Sequence, residues 1–209
     1  MKKIFIGLFI FFLHLDSFSQ LSEKKMQQIV SEKSGILRME LIIGVFELTQ
    51  ETDPLQDMHN AKMLLKQSYD INDRICEAMA LSEIGYAYKS IGDLTEGLNY
   101  NLQAMEVAEE SGNKLLEAYV KINLATCYKE LANYREAASL LEASDKIMES
   151  AKQYKLQTWA LMNLAQIHSS MHHTDSALMF AQRAYELCIR IGYTEYIGYI
   201  CNQLGKVHT

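Results

Sequence analysis

Ile84-Gly85-Tyr86-Ala87-Tyr88, Leu124-Ala125-Thr126-Cys127-Tyr128 and Leu164-Ala165-Gln166-Ile167-His168 are three passes over one pattern. Each lies forty residues after the last, and they align without a gap. Beyond each comes an acidic or polar turn: Gly92-Asp93, Ala132-Asn133 and His172-His173. Small residues then return at Gly97, Ala137 and Ala177, and again at Ala104, Ser144 and Ala184. A fourth start stands at Leu204-Gly205. Two helices of about fourteen residues with two short turns fill such a period, and small residues at fixed points let them approach closely. One hairpin alone leaves an apolar face exposed, and the next copy covers it.

Composition agrees. The chain has 209 residues, 49% hydrophobic and 22% charged, too apolar for a disordered chain. It contains one proline, Pro54, where average usage of about 5% gives roughly ten. Sheet proteins need turn residues at short intervals, so the reading is all-α, helices joined by short turns. The formal charge of −6 argues against a nucleic-acid partner, because phosphate contacts need a basic face.

The N-terminus has the three parts of a secretory leader. Lys2 and Lys3 precede the apolar run Ile4 to Leu13, and Ser17 and Ser19 occupy the positions a signal peptidase inspects. Residues 1–19 are therefore expected to be removed, with cleavage before Gln20 and export to the periplasm or cell envelope. The apolar run is about half of what a transmembrane helix needs. No later segment approaches that length, so no span is expected after cleavage. Cleavage removes Lys2, Lys3 and Asp16 and takes the charge from −6 to −7.

The pairs Ile84-Gly85, Asn123-Leu124-Ala125 and Asn163-Leu164-Ala165, with Tyr88, Gly92-Asp93, Gly97 and Ala104, resemble the tetratricopeptide repeat. The variety is the roughly forty-residue one of kinesin light chain and many bacterial sensory proteins. The resemblance implies a right-handed α-solenoid of stacked antiparallel hairpins. It places three repeats over 75–197 and the first helix of an incomplete fourth over 198–209. Residues 36–74 read as a degenerate N-terminal helical pair around Thr52-Asp53-Pro54, and residues 20–35 as a linker, with a frayed helix over 20–34 as the alternative.

In this family the first helices of successive repeats line a concave groove, so positions forty apart form ladders. One runs Met79, Tyr119, Trp159 and Tyr199; another Lys89, Lys129, Ser169 and Thr209; a third Glu83, Asn123, Asn163 and Gln203. Rings and amides at regular rise suit a peptide or helix, and the implied partner is a protein or peptide. The competing reading of the first ladder is packing between hairpins. Basic residues look too sparse to grip a C-terminal carboxylate. A leader followed by such repeats also resembles the sensory half of membrane-bound histidine kinases and transcription regulators. That likeness, with the unfinished fourth repeat, implies continuation into a larger polypeptide.

Other chemistry finds little support. His168 and His172 share a spacing that can chelate zinc, but only Asp175 stands near as a further ligand. The preferred reading is a partly buried ring before a polar turn, with no metal. Cys76, Cys127, Cys188 and Cys201 form no CxxC motif. Cys188 and Cys201 either face each other across a turn as a disulfide or are separate thiols. There is no Gly-rich phosphate loop, no nucleophile elbow and no histidine pair enclosing a glutamate. No catalysis and no cofactor are expected.

Overall fold

Two or three residues are enough to turn one long helix into the next, and this decides the architecture from Pro54 onward. The computed structural model describes residues 24–25, 27–47, 53–193, 196–198 and 200–201. Helix α1 is described at residues 24–25 and 27–31. It is followed by α2 (Gly35–Phe46), α3 (Pro54–Ile71), α4 (Arg74–Ser90), α5 (Leu94–Ser111), α6 (Lys114–Glu130), α7 (Tyr134–Ser150), α8 (Tyr154–Ser170) and α9 (Thr174–Ile191). Helices α4 to α9 stack in order as three antiparallel hairpins, with α6 beside α4 and α8 beside α6. The result is an α-solenoid.

The turns repeat as strictly as the helices. Asn72, Gly112, Lys152 and Gly192 take positive φ between hairpins; Gly92, Ala132 and His172 do so within them. Both sets step by forty. At most of these turns the following residue donates its N–H to the carbonyl five back, as Asp73 to Ser68, Asp93 to Tyr88, Asn133 to Tyr128 and His173 to His168, each at 2.9 Å. This Schellman closure satisfies orphan carbonyls at the helix end. The same residue can cap the next helix. The carboxylate of Asp73 accepts from Cys76 N–H at 2.8 Å, and that of Asp93 from Glu96 N–H at 3.1 Å. Ala132, Lys152 and His172 hold the left-handed conformation without being glycine, so residue type alone did not mark them.

Small residues set the spacing of helices. A Cβ on Gly85 would stand 2.9 Å from Gly97 O and 2.4 Å from Asn101 Nδ2, so α4 and α5 meet backbone to backbone. Ala125 with Ala137, and Ala165 with Ala177, occupy the same places in the next hairpins, all buried. Asn101 is wholly buried and donates to Gly97 O at 2.9 Å, while accepting from Ser82 Oγ at 3.3 Å. Its polarity is thereby satisfied.

Among the described residues of 36–74, α2 and α3 do not make a close hairpin with each other. Helix α3 packs on α4, as the helices of a hairpin do, whereas α2 packs chiefly on α4 rather than on α3. Within 20–35, residues 27–31 are helical and Ile29 is buried in the core, so that segment is more than a linker. The leader at 1–19, Tyr199, and Gln203, Leu204, Gly205 and Thr209 of the fourth repeat lie outside the described residues. Cys76, Cys127, Cys188 and Cys201 are all free thiols. Cys188 is buried, its sulfur 4.0 Å from Thr158 Oγ1, and Cys201 is exposed. Among the described residues no helix is long and apolar enough to cross a membrane.

Candidate functional site

The first helices of the three hairpins, α4, α6 and α8, present one stripe of side chains each to a common surface. At its C-terminal end this surface opens into a cleft of about 210 Å³. Tyr86 and Lys89 come from α4, Asn123, Thr126 and Lys129 from α6, and Trp159, Met162, Asn163 and Gln166 from α8, with Tyr196 at the edge. Five of the twelve residues of the forty-residue ladders thus converge: Lys89, Lys129, Asn123, Asn163 and Trp159.

The cleft holds two cations among amide, hydroxyl and aromatic side chains. Lys129 Nζ donates to Gln166 Oε1 at 2.5 Å and Asn163 Oδ1 at 3.2 Å, and lies 3.7 Å from Glu130 Oε1. Lys89 Nζ sits 3.7 Å over the ring centroid of Tyr86, a cation–π contact. Burial pushes the Lys89 ammonium down to about 8, and the nearby charge of Lys129 adds to this. Burial likewise lowers Lys129, with Glu130 opposing. Both shifts mean positive charge held where water solvates it poorly, so an anion entering the cleft relieves part of that penalty. The sequence made the basic residues look too sparse to grip a C-terminal carboxylate. Folding brings two of them into one cleft.

Asn123 and Asn163 are partly committed to the protein itself. Asn123 Nδ2 donates to Ser82 Oγ at 2.9 Å, and Asn163 Nδ2 to Trp159 O at 3.0 Å. Ser169, the next rung after Lys129, does not line the cleft.

Met79 and Tyr119 are placed otherwise than a ligand-contacting ladder requires. Met79 is 0% and Tyr119 2% exposed. Helix α2 packs on α4, its ends are tied to Asp73 before α4 and to Lys155 at the start of α8, and the charge of Glu47 acts on Tyr119. Its first residue, Gly35, stands against Ile75 on α4, and Arg38 pairs with Asp73 and with Glu32 O. At its other end Glu47 accepts from Lys155 Nζ at 2.5 Å and Tyr193 Oη at 3.2 Å. Twelve residues of helix span about 18 Å, which matches two interaxial spacings of about 8–10 Å. Tyr119 on the middle helix is therefore crossed on the way. Its hydroxyl donates to buried Glu83, and burial first, then the Glu83 charge, pushes the phenol well above its ordinary value.

Trp159 marks the border of the covered and open parts. It is half-buried, and its ring lies 6.5 Å from that of Tyr196, which in turn is 4.7 Å from Tyr193. Lys155 Nζ lies 4.8 Å from the Tyr193 ring centroid. Tyr86, Thr126 and Gln166 were missed in the sequence, although they too step by forty. Their mixed chemistry hid a ladder that spacing alone would have found.

The histidines do not converge as ligands. His168 stacks on Phe180 at 5.2 Å and lies 5.8 Å from the His173 ring, while His172 occupies the left-handed turn. Burial lowers the His168 imidazole, favouring its neutral form. Among the described residues no three metal-ligating side chains come together.

Comparison with known proteins adds the following. Residues 76–150 match the tetratricopeptide repeat. The fold is similar to that of BtubC (BKLC) from P. vanneervenii, with a TM-score of 0.68 and 17% identity over 92% of this chain and 81% of that one. It is also similar to the apo form of RapI, with a TM-score of 0.64 and 18% identity over 83% of this chain. The chain spans 64% of the length of RapI. No curated protein matches. At these identities the likeness is one of fold.

Proposed function

We propose that this chain is a non-catalytic binding module that takes an acidic protein or peptide segment in the cleft between α4, α6 and α8. The observation that carries the reading is the convergence of Lys89 and Lys129, both held below their ordinary values by burial, with Tyr86, Trp159 and the Asn163 and Gln166 amides. A carboxylate would accept from the ammonium groups as charge-assisted hydrogen bonds, and the rings would pack against the segment's apolar parts. Stacked hairpins need little ordering on binding, which favours affinity.

Trp159 is the single tryptophan of the chain, so its emission reports on the cleft directly. Titration with hexaglutamate should change that emission saturably. The Lys89→Met, Lys129→Met double variant should lose the response while keeping its helicity. Affinity should fall as pH rises through about 8, where Lys89 discharges. Undiminished binding by the double variant would overturn the reading.

We also propose that the module works outside the cytoplasm. Lys2, Lys3, the run Ile4 to Leu13 and the small residues Ser17 and Ser19 support this. N-terminal sequencing of the protein from fractionated cells should begin at Gln20. A sensory role, as the receiving part of a kinase or regulator, is the narrower form of the proposal. Its test is whether the species detected by an antibody to residues 75–209 fractionates with the inner membrane and exceeds 23.9 kDa.

A further inference from the structure

The covered half of the groove shows what it accepts, because a segment of the chain already sits there. Helix α2 buries Met39, Ile42, Ile43, Val45 and Phe46, four of them at i, i+3, i+4 and i+7, the spacing with which amphipathic helices fill grooves. Charges at its two ends fix its direction: Arg38 meets Asp73 near the first helix of the stripe, and Glu47 meets Lys155 and Tyr193 near the last.

Its attachment differs from that of every helix after it. It has 12 residues where α3 to α9 have 17 or 18. It lies outside the forty-residue register, and it packs on α4 without a hairpin partner of its own. Elements with the fewest packed neighbours open first. The surface under it is preformed by α4, α6 and α8, which are held by their own hairpins.

We infer that the groove half over Met79 and Tyr119 is a helix-docking site in which α2 is the resident occupant. Its partner is an amphipathic helix of the same chemistry: an apolar i, i+3, i+4, i+7 face, a basic residue before it and an acidic residue after it. That helix enters by displacing α2, so its affinity is reduced by the fraction of molecules in which α2 is docked. The inference rests on the proposed binding role in that both sites lie on one stripe, but it uses different residues.

The test uses the full chain and a fluorescein-labelled peptide carrying residues 35–47 with a polar tail. Arg38→Ala with Glu47→Gln weakens both ends of α2 and should raise peptide affinity at least tenfold over wild type. Conversely, Gly35→Cys with Ile75→Cys, in a Cys76→Ala background and with disulfide formation verified by mass, locks α2 down at two positions that are in contact. The oxidised lock should abolish peptide binding and its reduction should restore it. Equal binding by locked and wild-type chains would overturn the inference. So would failure of the weakened variant to bind while hydrogen exchange shows its α2 amides freely opening. Hexaglutamate binding, read at Trp159, should be unchanged by the lock. Loss of one probe without the other therefore tells which of the two readings has failed.

Discussion

Met79 and Lys89 lie ten residues apart on α4, yet the first is sealed and the second lines an open cleft. The same division runs across α6, where Tyr119 is covered and Lys129 is not, and across α8, where it falls at Trp159. The covered half is held by apolar burial, with Phe46, Ile42 and Met39 of α2 at 0–2% exposure. The open half is held by amide and ammonium hydrogen bonds among Lys129, Asn163 and Gln166. Three helices of one design thus carry two surfaces, and what differs is whether a crossing helix lies on them.

The largest expected effect tests whether α2 is a separate unit. Phe46→Ala should take about 3–5 kcal/mol from the docking of α2, the usual loss for a buried ring. Its signature should be local, namely loss of hydrogen-exchange protection in α2 with little change in α4 to α9. Leu164→Ala, at a wholly buried position of α8, should instead lower the melting temperature of the entire solenoid. Equal whole-chain destabilisation by both, with α2 still protected, would erase the division.

A smaller effect compares polar groups in the two halves. Tyr119→Phe removes the donor to Glu83 at a buried position and should cost about 1–3 kcal/mol in chemical denaturation. Asn163→Ala, at the half-buried edge of the cleft, should cost less, about 0.5–1 kcal/mol, because water can replace its contacts. A reversed order would mean that the covered half is wetter than its burial implies.

Much of this arrangement was legible in the sequence, and what was not has a physical reason. The forty-residue period gave the solenoid because local features repeat it: small residues at Gly85, Ala125 and Ala165, polar caps, and turn positions. The ladders reached the cleft through Lys89, Lys129, Asn123, Asn163 and Trp159. Met79 and Tyr119 sit on the same stripe, and of the two readings of their ladder, groove or packing, their burial fits packing; nothing local announces α2. Glu47 and Lys155 are 108 residues apart. Apolar residues in Gly35–Phe46 say that a helix will be buried but not against what. A contact that obeys no repeat leaves no trace in the period.

Protonation gives the next test, on the open half alone. Folding lowers Lys89 to about 8 from an ordinary value near 10.5. The unfolded chain therefore carries more protons between those values, and stability rises with pH across that window. Lys129 adds to the rise in the same direction, burial lowering it while the charge of Glu130 opposes. Lys89→Met should flatten the rise between pH 8 and 10.5 by an amount on the order of 1–2 kcal/mol, leaving the share of Lys129. Denaturant midpoints measured from pH 7 to 10.5 decide it. An unchanged slope would mean that Lys89 is solvated in the folded chain.

The smallest effect lies at the seam. The side chains of Glu47 and Lys155 are 18% and 41% exposed, so their ion pair is largely of the surface kind. Such pairs contribute about 0.2–1 kcal/mol. Glu47→Gln should therefore barely move the melting temperature. It should nonetheless speed exchange at the C-terminal end of α2 several-fold, because that end is tied to the third hairpin by this carboxylate and its hydrogen bond from Tyr193. It should also shift Trp159 emission, since Tyr193 and Tyr196 link the pair to the indole. Unchanged exchange would place the hold of α2 wholly in its apolar face. The two halves of the groove would then meet at Trp159 without being coupled through it.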